Sequence, residues 1–325
     1  MRARSTSASA LSDREELTTS VVICAYTEER WDRLGEAIDS VLGQSQPADE
    51  IILVIDHAEH LLERAQEAFV GVRVIPNVGP QGLSGGRNTG VQASTAEVVA
   101  FLDDDAAAAP DWLARLLGPY KDALVAGVGG GIDPAWATKR PSWWPLEFDW
   151  VVGCTYRGMP TVPTDVRNVI GANMSFRRSL ILAVGGFDVS TGRGRGRPLG
   201  GEETELSIRI AHHVPGARIR YEPAARVRHF VPTKRSTFRY FLERCYAEGL
   251  SKARVARLAG RDRGLASERT YATRTLPAAV ARNMVGMIRH GDPAGLTRAA
   301  VIPIGLLTTM AGYVVGGWRA TDDPR

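Results

Sequence analysis

From Ser20 onward, short apolar runs alternate with apolar positions at helical spacing. Val21-Val22-Ile23-Cys24-Ala25 is rich in β-branched residues and predicts a buried strand. Leu34, Ala37, Ile38, Val41 and Leu42 then mark one face of a helix. Residues 51–55 predict a second strand, ending at Asp56, and Leu61, Leu62, Ala65, Ala68 and Phe69 a second helix. Residues 72–75 predict a third strand, stopped by Pro76. A Gly-rich turn leads into a helix near residues 87–93, and residues 98–102 form a fourth strand that runs into three aspartates. This alternation predicts an α/β fold with a mostly parallel sheet and helices on both faces. Such sheets bind ligands outside the carboxyl ends of their strands. Here those ends carry Tyr26 to Glu28, Asp56, Asn77 and Asp103 to Asp105.

The second half is less regular. Residues 136–163 hold Trp136, Trp143, Trp144 and Trp150 among several prolines. Aromatic faces there suit stacking on sugars or a membrane interface, and equally a satellite core under a long loop. Residues 190–201 (STGRGRGRPLGG) read as a mobile basic loop, residues 202–213 as a helix, and residues 238–258 as a long arginine-rich helix. Residues 299–318 carry no charge and are flanked by Arg298 and Arg319. That is about the twenty residues a bilayer core requires. Pro303 and four glycines within it favour association at an interface over a clean span, and a buried soluble helix pair is the third reading.

Charge changes the picture only when divided. Residues 1–230 carry 24 Lys+Arg against 29 Asp+Glu, a net −5; residues 231–325 carry 16 against 7, a net +9. A basic end of this kind suits nucleic acid, an anionic membrane or an anionic substrate. Nucleic acid is the least favoured, because few aromatics interleave with the arginines and no nucleic-acid motif is present. Residues 1–19 are polar, which predicts a loose arm and neither a signal peptide nor a span. The three cysteines (Cys24, Cys154, Cys245) have no zinc or disulfide spacing, so a reduced, cytoplasmic chain is expected.

Three clusters carry candidate chemistry. Asp103-Asp104-Asp105 sits at a strand end, where carboxylates bind a hard divalent cation and extended chain turns Asp103 and Asp105 to one side. A solvated acidic turn is the plainer alternative. Glu202 and Glu203 open a helix; the helix dipole alone favours acids there, but crowded carboxylates also make a general base. Residues 77–88 (NVGPQGLSGGRN) let backbone approach a ligand, and Arg87 is suited to a diphosphate or a carboxylate. No Walker spacing and no G-x-G-x-x-G follow the first strand, which disfavours P-loop NTPases and Rossmann dehydrogenases. His229 is either structural, a third metal ligand or a phosphate contact.

Taken together, residues 19–258 resemble glycosyltransferase family 2, inverting nucleotide-sugar enzymes with a GT-A fold. VVICAYTEE is similar to the family's first strand and nucleotide-contacting turn, which implies donor contacts at Ala25, Tyr26 and Glu28. DEIILVIDH implies that Asp56 meets the base. NVGPQGLSGGRNTG adds Asn77, Gly82, Arg87 and Asn88 on the donor side, and AFLDDDA matches the D-x-D motif with Asp103, Asp104 and Asp105. GANMSFRRSLILAVGGFD implies an acceptor-side Asn173; Trp143 and Trp144 join it there as aromatic candidates. GGEETELSIRI resembles the catalytic motif, with Glu203 as base beside Glu202 and Arg209 on the acceptor side; Arg209, His229 or Arg87 is the candidate to assist. The departures are Ile55, His57 and Ala58 where the family has D-D-G-S, Ala106 where a further acid is common, and Glu203 where Asp is usual.

The resemblance implies transfer of a sugar, with inversion, from a nucleotide-diphosphate sugar to an acceptor hydroxyl. It implies Mn2+ or Mg2+ held by Asp105, Asp103 and His229. The basic, partly apolar end favours a lipid-linked or membrane-near glycan acceptor and a place at the cytoplasmic face of a membrane. A soluble glycosyltransferase for a small molecule or polysaccharide, and an inactive nucleotide-sugar-binding module, are the alternatives. The expected organisation is an arm (1–19), a GT-A domain (20–258) and a helical, membrane-associating tail (259–325).

Overall fold

The computed structural model describes residues 17–190, 200–259 and 266–318. Most of the expected arm, and residues 191–199 of the expected basic loop, lie outside the described residues.

The apolar runs become strands β1 (Thr19–Ala25), β2 (Glu50–Ile55), β3 (Arg73–Pro76) and β4 (Val98–Asp103). They pair in parallel, in the order β3-β2-β1-β4. β1 is buried on both faces: Val21 and Ile23 join one core cluster, Val22 the other. This two-sided burial is why the strands read as continuous apolar runs rather than alternating ones. Helices α1 (Trp31–Leu42), α2 (Glu59–Ala68) and α3 (Leu83–Ala93) connect them. α1 buries Leu34, Ala37, Ile38 and Val41, the face its spacing predicts.

α3 starts earlier than expected, so Gly85 and Gly86 lie inside a helix and not in a ligand-cradling turn. A Cβ on Gly90 would stand 2.4 Å from a Val22 methyl. The glycines thus let α3 settle close against β1, which carries Arg87 beneath the strand ends.

Beyond β4, the sheet turns mixed. β5 (Ala106–Ala108), β6 (Val125–Trp136), β7 (Thr164–Val166), β8 (Asn173–Arg177) and β9 (Arg218–Val231) continue it in the order β4-β8-β6-β9-β5, with β7 also pairing β9. β8 runs antiparallel to β4 and β6. α4 (Trp112–Leu117), α5 (Arg178–Ala183), α6 (Glu202–His213) and α7 (Phe238–Ala259) complete this part. The last two match their expected spans within a residue.

The tail continues as α8 (Ala266–Thr270), a π-turn (Tyr271–Thr275), α9 (Leu276–His290) and α10 (Ala294–Trp318). It is not a detached appendage. Leu276, Ala279, Val301 and Ile302 belong to the same core cluster as Phe148 and Phe241.

Candidate active site

β4 delivers Asp103, and β5 resumes at Ala106, so Asp104 and Asp105 form the turn between two paired strands. β5 pairs with β9 and sets Ala106 opposite His229, while the Phe230 amide donates to the Asp105 carbonyl at 2.8 Å. That register brings His229 Nε2 to 3.0 Å from Asp105 Oδ1. Asp103, Asp105 and His229 each offer a ligand atom, and these atoms lie within 4.8 Å of one another. Carboxylate oxygens with one imidazole suit Mn2+ or Mg2+. The buried Asp104 Oδ2 and Glu202 Oε2 have no hydrogen-bond partner, so the site holds unused acceptors.

Two arginines that sequence reasoning missed stabilise this run. Arg30 Nη1 lies 2.6 Å from Asp104 and 3.1 Å from Asp105; Arg235 lies 3.8 Å from Asp105. Burial alone would raise the Asp105 carboxyl, but His229, Arg30 and Arg235 outweigh it and hold it well below the usual range. Asp104 goes the other way: burial raises it to about 7, against Arg30, with Asp105 and Asp103 adding to the rise. Arg30 closes the short 3-10 turn Glu28–Arg30 between β1 and α1, two residues past Glu28 in the segment already marked as donor-side, and that nearness was a signal. Arg235 stands in an ordinary basic stretch and gave none.

Arg87 joins the acidic run to the second acidic cluster. It is 2% exposed. Its Nη1 donates to Glu202 Oε1 at 2.9 Å; its Nη2 donates to the Gly171 carbonyl at 3.0 Å and reaches Asp103 Oδ1 at 3.3 Å. Phe101 and Phe187 flank the guanidinium. Burial opposes its charge, yet Glu202 and Asp103 keep its pKa above the ordinary value. Glu203, next to Glu202 on the first turn of α6, is half-buried. Burial and then the Glu202 charge push its carboxyl up to about 8.

On the other side, Asp56 organises the donor-side turn. Its carboxylate accepts from Asn77 Nδ2 at 2.6 Å and from the Gly82 amide at 2.9 Å. Asn77 Oδ1 in turn accepts from Gly79 and Thr89. His57 has φ 52°, a left-handed conformation that a glycine adopts freely. Ala25 is buried in β1, Tyr26 is exposed and stacks on Arg30, and Glu28 is exposed and pairs with Arg64 at 3.2 Å.

Five of the expected contact residues have their polar or aromatic groups engaged within the fold. Asn173 is fully buried; its amide donates to the Gly131 and Ala225 carbonyls and its oxygen accepts from Trp112 Nε1, so it staples β8 to β6 and β9. Arg209 is held by Glu205 and by the Val184 and Gly186 carbonyls, which fixes α6 to the end of α5. Asn88 exchanges two hydrogen bonds with the Phe187 backbone. Trp144 is 1% exposed and packs edge-on to Trp136 and Phe241, which makes it core. Trp143 is half-buried in the same aromatic cluster, against Phe238 and Phe241.

The family model described as Glycosyl transferase family 2 matches residues 20–185. The glucosyl-dolichyl phosphate glucuronosyltransferase of Haloferax volcanii is 36% identical over 240 residues, covering 73% of this chain and 76% of that protein. The pre-mycofactocin glycosyltransferase of Mycobacterium tuberculosis is 34% identical over 166 residues, which is 50% of this chain but 33% of that longer protein. Among solved structures, a mannosyltransferase from Pyrobaculum calidifontis, in complex with GDP-Man and Mn2+, superposes with a TM-score of 0.58. The superposition covers 94% of this chain and 86% of that one at 20% identity, so the likeness is one of fold. That fold is GT-A, as the mixed sheet with helices on both sides indicates.

Proposed function

Because this chain belongs to glycosyltransferase family 2, we propose that Glu203 is the base with which it moves a sugar from a nucleotide-diphosphate sugar to the hydroxyl of a lipid-linked glycan. The observation that carries the assignment is Arg87. One buried guanidinium holds the acidic run at Asp103 and the catalytic cluster at Glu202, so donor end and base end share a single anchor.

Glu203 takes the proton of the acceptor hydroxyl. The hydroxyl oxygen then attacks the sugar C1 from the face opposite the diphosphate, the C1–O bond to the diphosphate breaks, and the configuration inverts. Asp103, Asp105 and His229 would hold the divalent cation, which when bound offsets charge on the leaving diphosphate. Arg30 and Arg235 keep Asp105 ionised for that task. Asp56, Asn77 and the Gly82 amide shape the nucleotide side.

The Haloferax relative's name supports a lipid-linked acceptor, and with it a place at the cytoplasmic face of a membrane. The basic end of the chain and the charge-free row of α10 agree with that placement.

The pH dependence of kcat/KM tests the base. Glu203 works only unprotonated, and its carboxyl is pushed up to about 8. The rate constant is therefore expected to climb with pH through about 8 and then level off. A profile already flat from about pH 6 would remove Glu203 from the role.

A further inference from the structure

α10 has two faces of opposite character. Its inner face is small. A Cβ on Gly312 would stand 2.1 Å from the Tyr246 carbonyl of α7, and one on Gly305 would stand 2.6 Å from the Phe148 ring. Gly316 packs on Ala253, and its carbonyl accepts from Arg257 of α7 at 2.7 Å. Its outer face is large and apolar. Ile304, Leu307, Met310, Val314 and Trp318 recur at helical spacing, with Leu307 63% and Trp318 72% exposed. Ile288, on α9, is 73% exposed. No charged residue lies between Arg298 and Trp318. A helix on the surface of a soluble domain normally turns polar residues to water on that face.

The basic balance around it names the partner. Residues 276–318 carry three arginines (Arg282, Arg289, Arg298) and one acid, Asp292. Arg282 pairs with Glu147 and Arg298 with Asp292, while Arg289 and, just before this stretch, Arg274 are exposed. Cationic side chains beside an apolar row, closed by a tryptophan, match the interfacial zone of an anionic bilayer.

The inner face also decides the orientation. α7 bears Arg239, Glu243, Arg244, Glu248, Lys252, Arg254 and Arg257, and it lies against α10 along the glycines. Carrying α10 across the hydrocarbon would drag those charges with it; Arg239 pairs with Glu243 and Lys252 with Glu248, but five basic side chains against two acids leave a net positive charge to bury. We propose that the outer face of α10, with the adjoining end of α9, docks in the plane of an anionic lipid bilayer without crossing it. This rests on the reading of a lipid-linked acceptor and deepens it. Ser251 of α7 accepts from the Gly200 amide just before Glu202 and Glu203, so the docking helix and the base loop lean on the same helix.

The test uses the full chain and preformed vesicles, without donor or acceptor. It co-sediments with vesicles of equimolar phosphatidylcholine and phosphatidylglycerol, less at high salt, and dilution into lipid-free buffer releases it. The pair Leu307→Glu with Val314→Glu weakens this partitioning by about tenfold or more. Its melting temperature and its transfer to a short-chain, water-soluble acceptor remain unchanged. The gentler pair Leu307→Gln with Val314→Thr gives the same order of effect should the glutamates unfold the chain. Wild-type protein left in the supernatant overturns the proposal. So does undiminished binding by both variants, binding that dilution does not reverse, or a wild-type dimer in sedimentation velocity that the variants dissolve. Because binding is read without acceptor, docking can fail while transfer to a lipid-linked acceptor stands, and the reverse.

Discussion

At the scale of single residues, the chemistry rests on how buried charges are shared. Arg87 satisfies Glu202, Asp103 and the Gly171 carbonyl with two nitrogens. Lysine offers a point charge and cannot span them. Arg87→Lys is expected to lose about 3 kcal/mol of stability, the order found when a buried pair is broken, and to lower kcat more than donor affinity. Urea unfolding with steady-state kinetics checks both; an unchanged kcat would detach the anchor from the chemistry. The sequence singled out Asp103, Asp105 and Glu203 because six segments occur in family order, and the structure gathers Asp103 and Asp105 with His229 into one cluster. Asn173, Arg209 and Asn88 show what a motif leaves open. A matching motif names a polar residue but not the direction of its polar atoms, and these three spend them on backbone and core partners.

At the scale of elements, buried strands and amphipathic helices carried most of the legible signal. β1 to β4, α1, α6 and α7 stand where periodicity put them. β6 escaped because GVGGG, from Gly127 to Gly131, offers Val128 alone among four glycines, too little of the β-branched run that marks a strand, and the pairing with β9 shifts register between Gly130 and Gly131. The glycines of α10 make a sharper, paired prediction. Gly312→Ala forces a methyl against the Tyr246 carbonyl and is expected to cost about 1–3 kcal/mol. Gly317→Ala meets nothing within 4 Å and gains helix propensity, so it is expected to be neutral or stabilising by up to about 1 kcal/mol. Thermal melts of the two variants, side by side, separate the packed face from the open one. Equal melting temperatures would contradict the packing of α10 on α7.

At the scale of the whole molecule, the divided charge and the shared core tell one story. The acidic part supplies the Asp103–Asp105 run and the proposed base, and the basic part supplies α7, α9 and α10. The tail was legible as helical and apolar, but not as part of the core, since contacts such as Leu276 or Ile302 with Phe241's cluster join residues far apart in sequence. We therefore propose a catalytic unit that extends through α10 rather than ending near residue 258. The central claim is the proposal that Glu203 serves the acceptor hydroxyl as base and is not itself needed to hold the donor. The most direct measurement is Glu203→Gln in two readouts, transfer rate and thermal stabilisation by nucleotide sugar with Mn2+. Transfer falls by a factor of about a hundred or more while the stabilisation persists. Transfer at the wild-type rate, with the donor still bound, would contradict it.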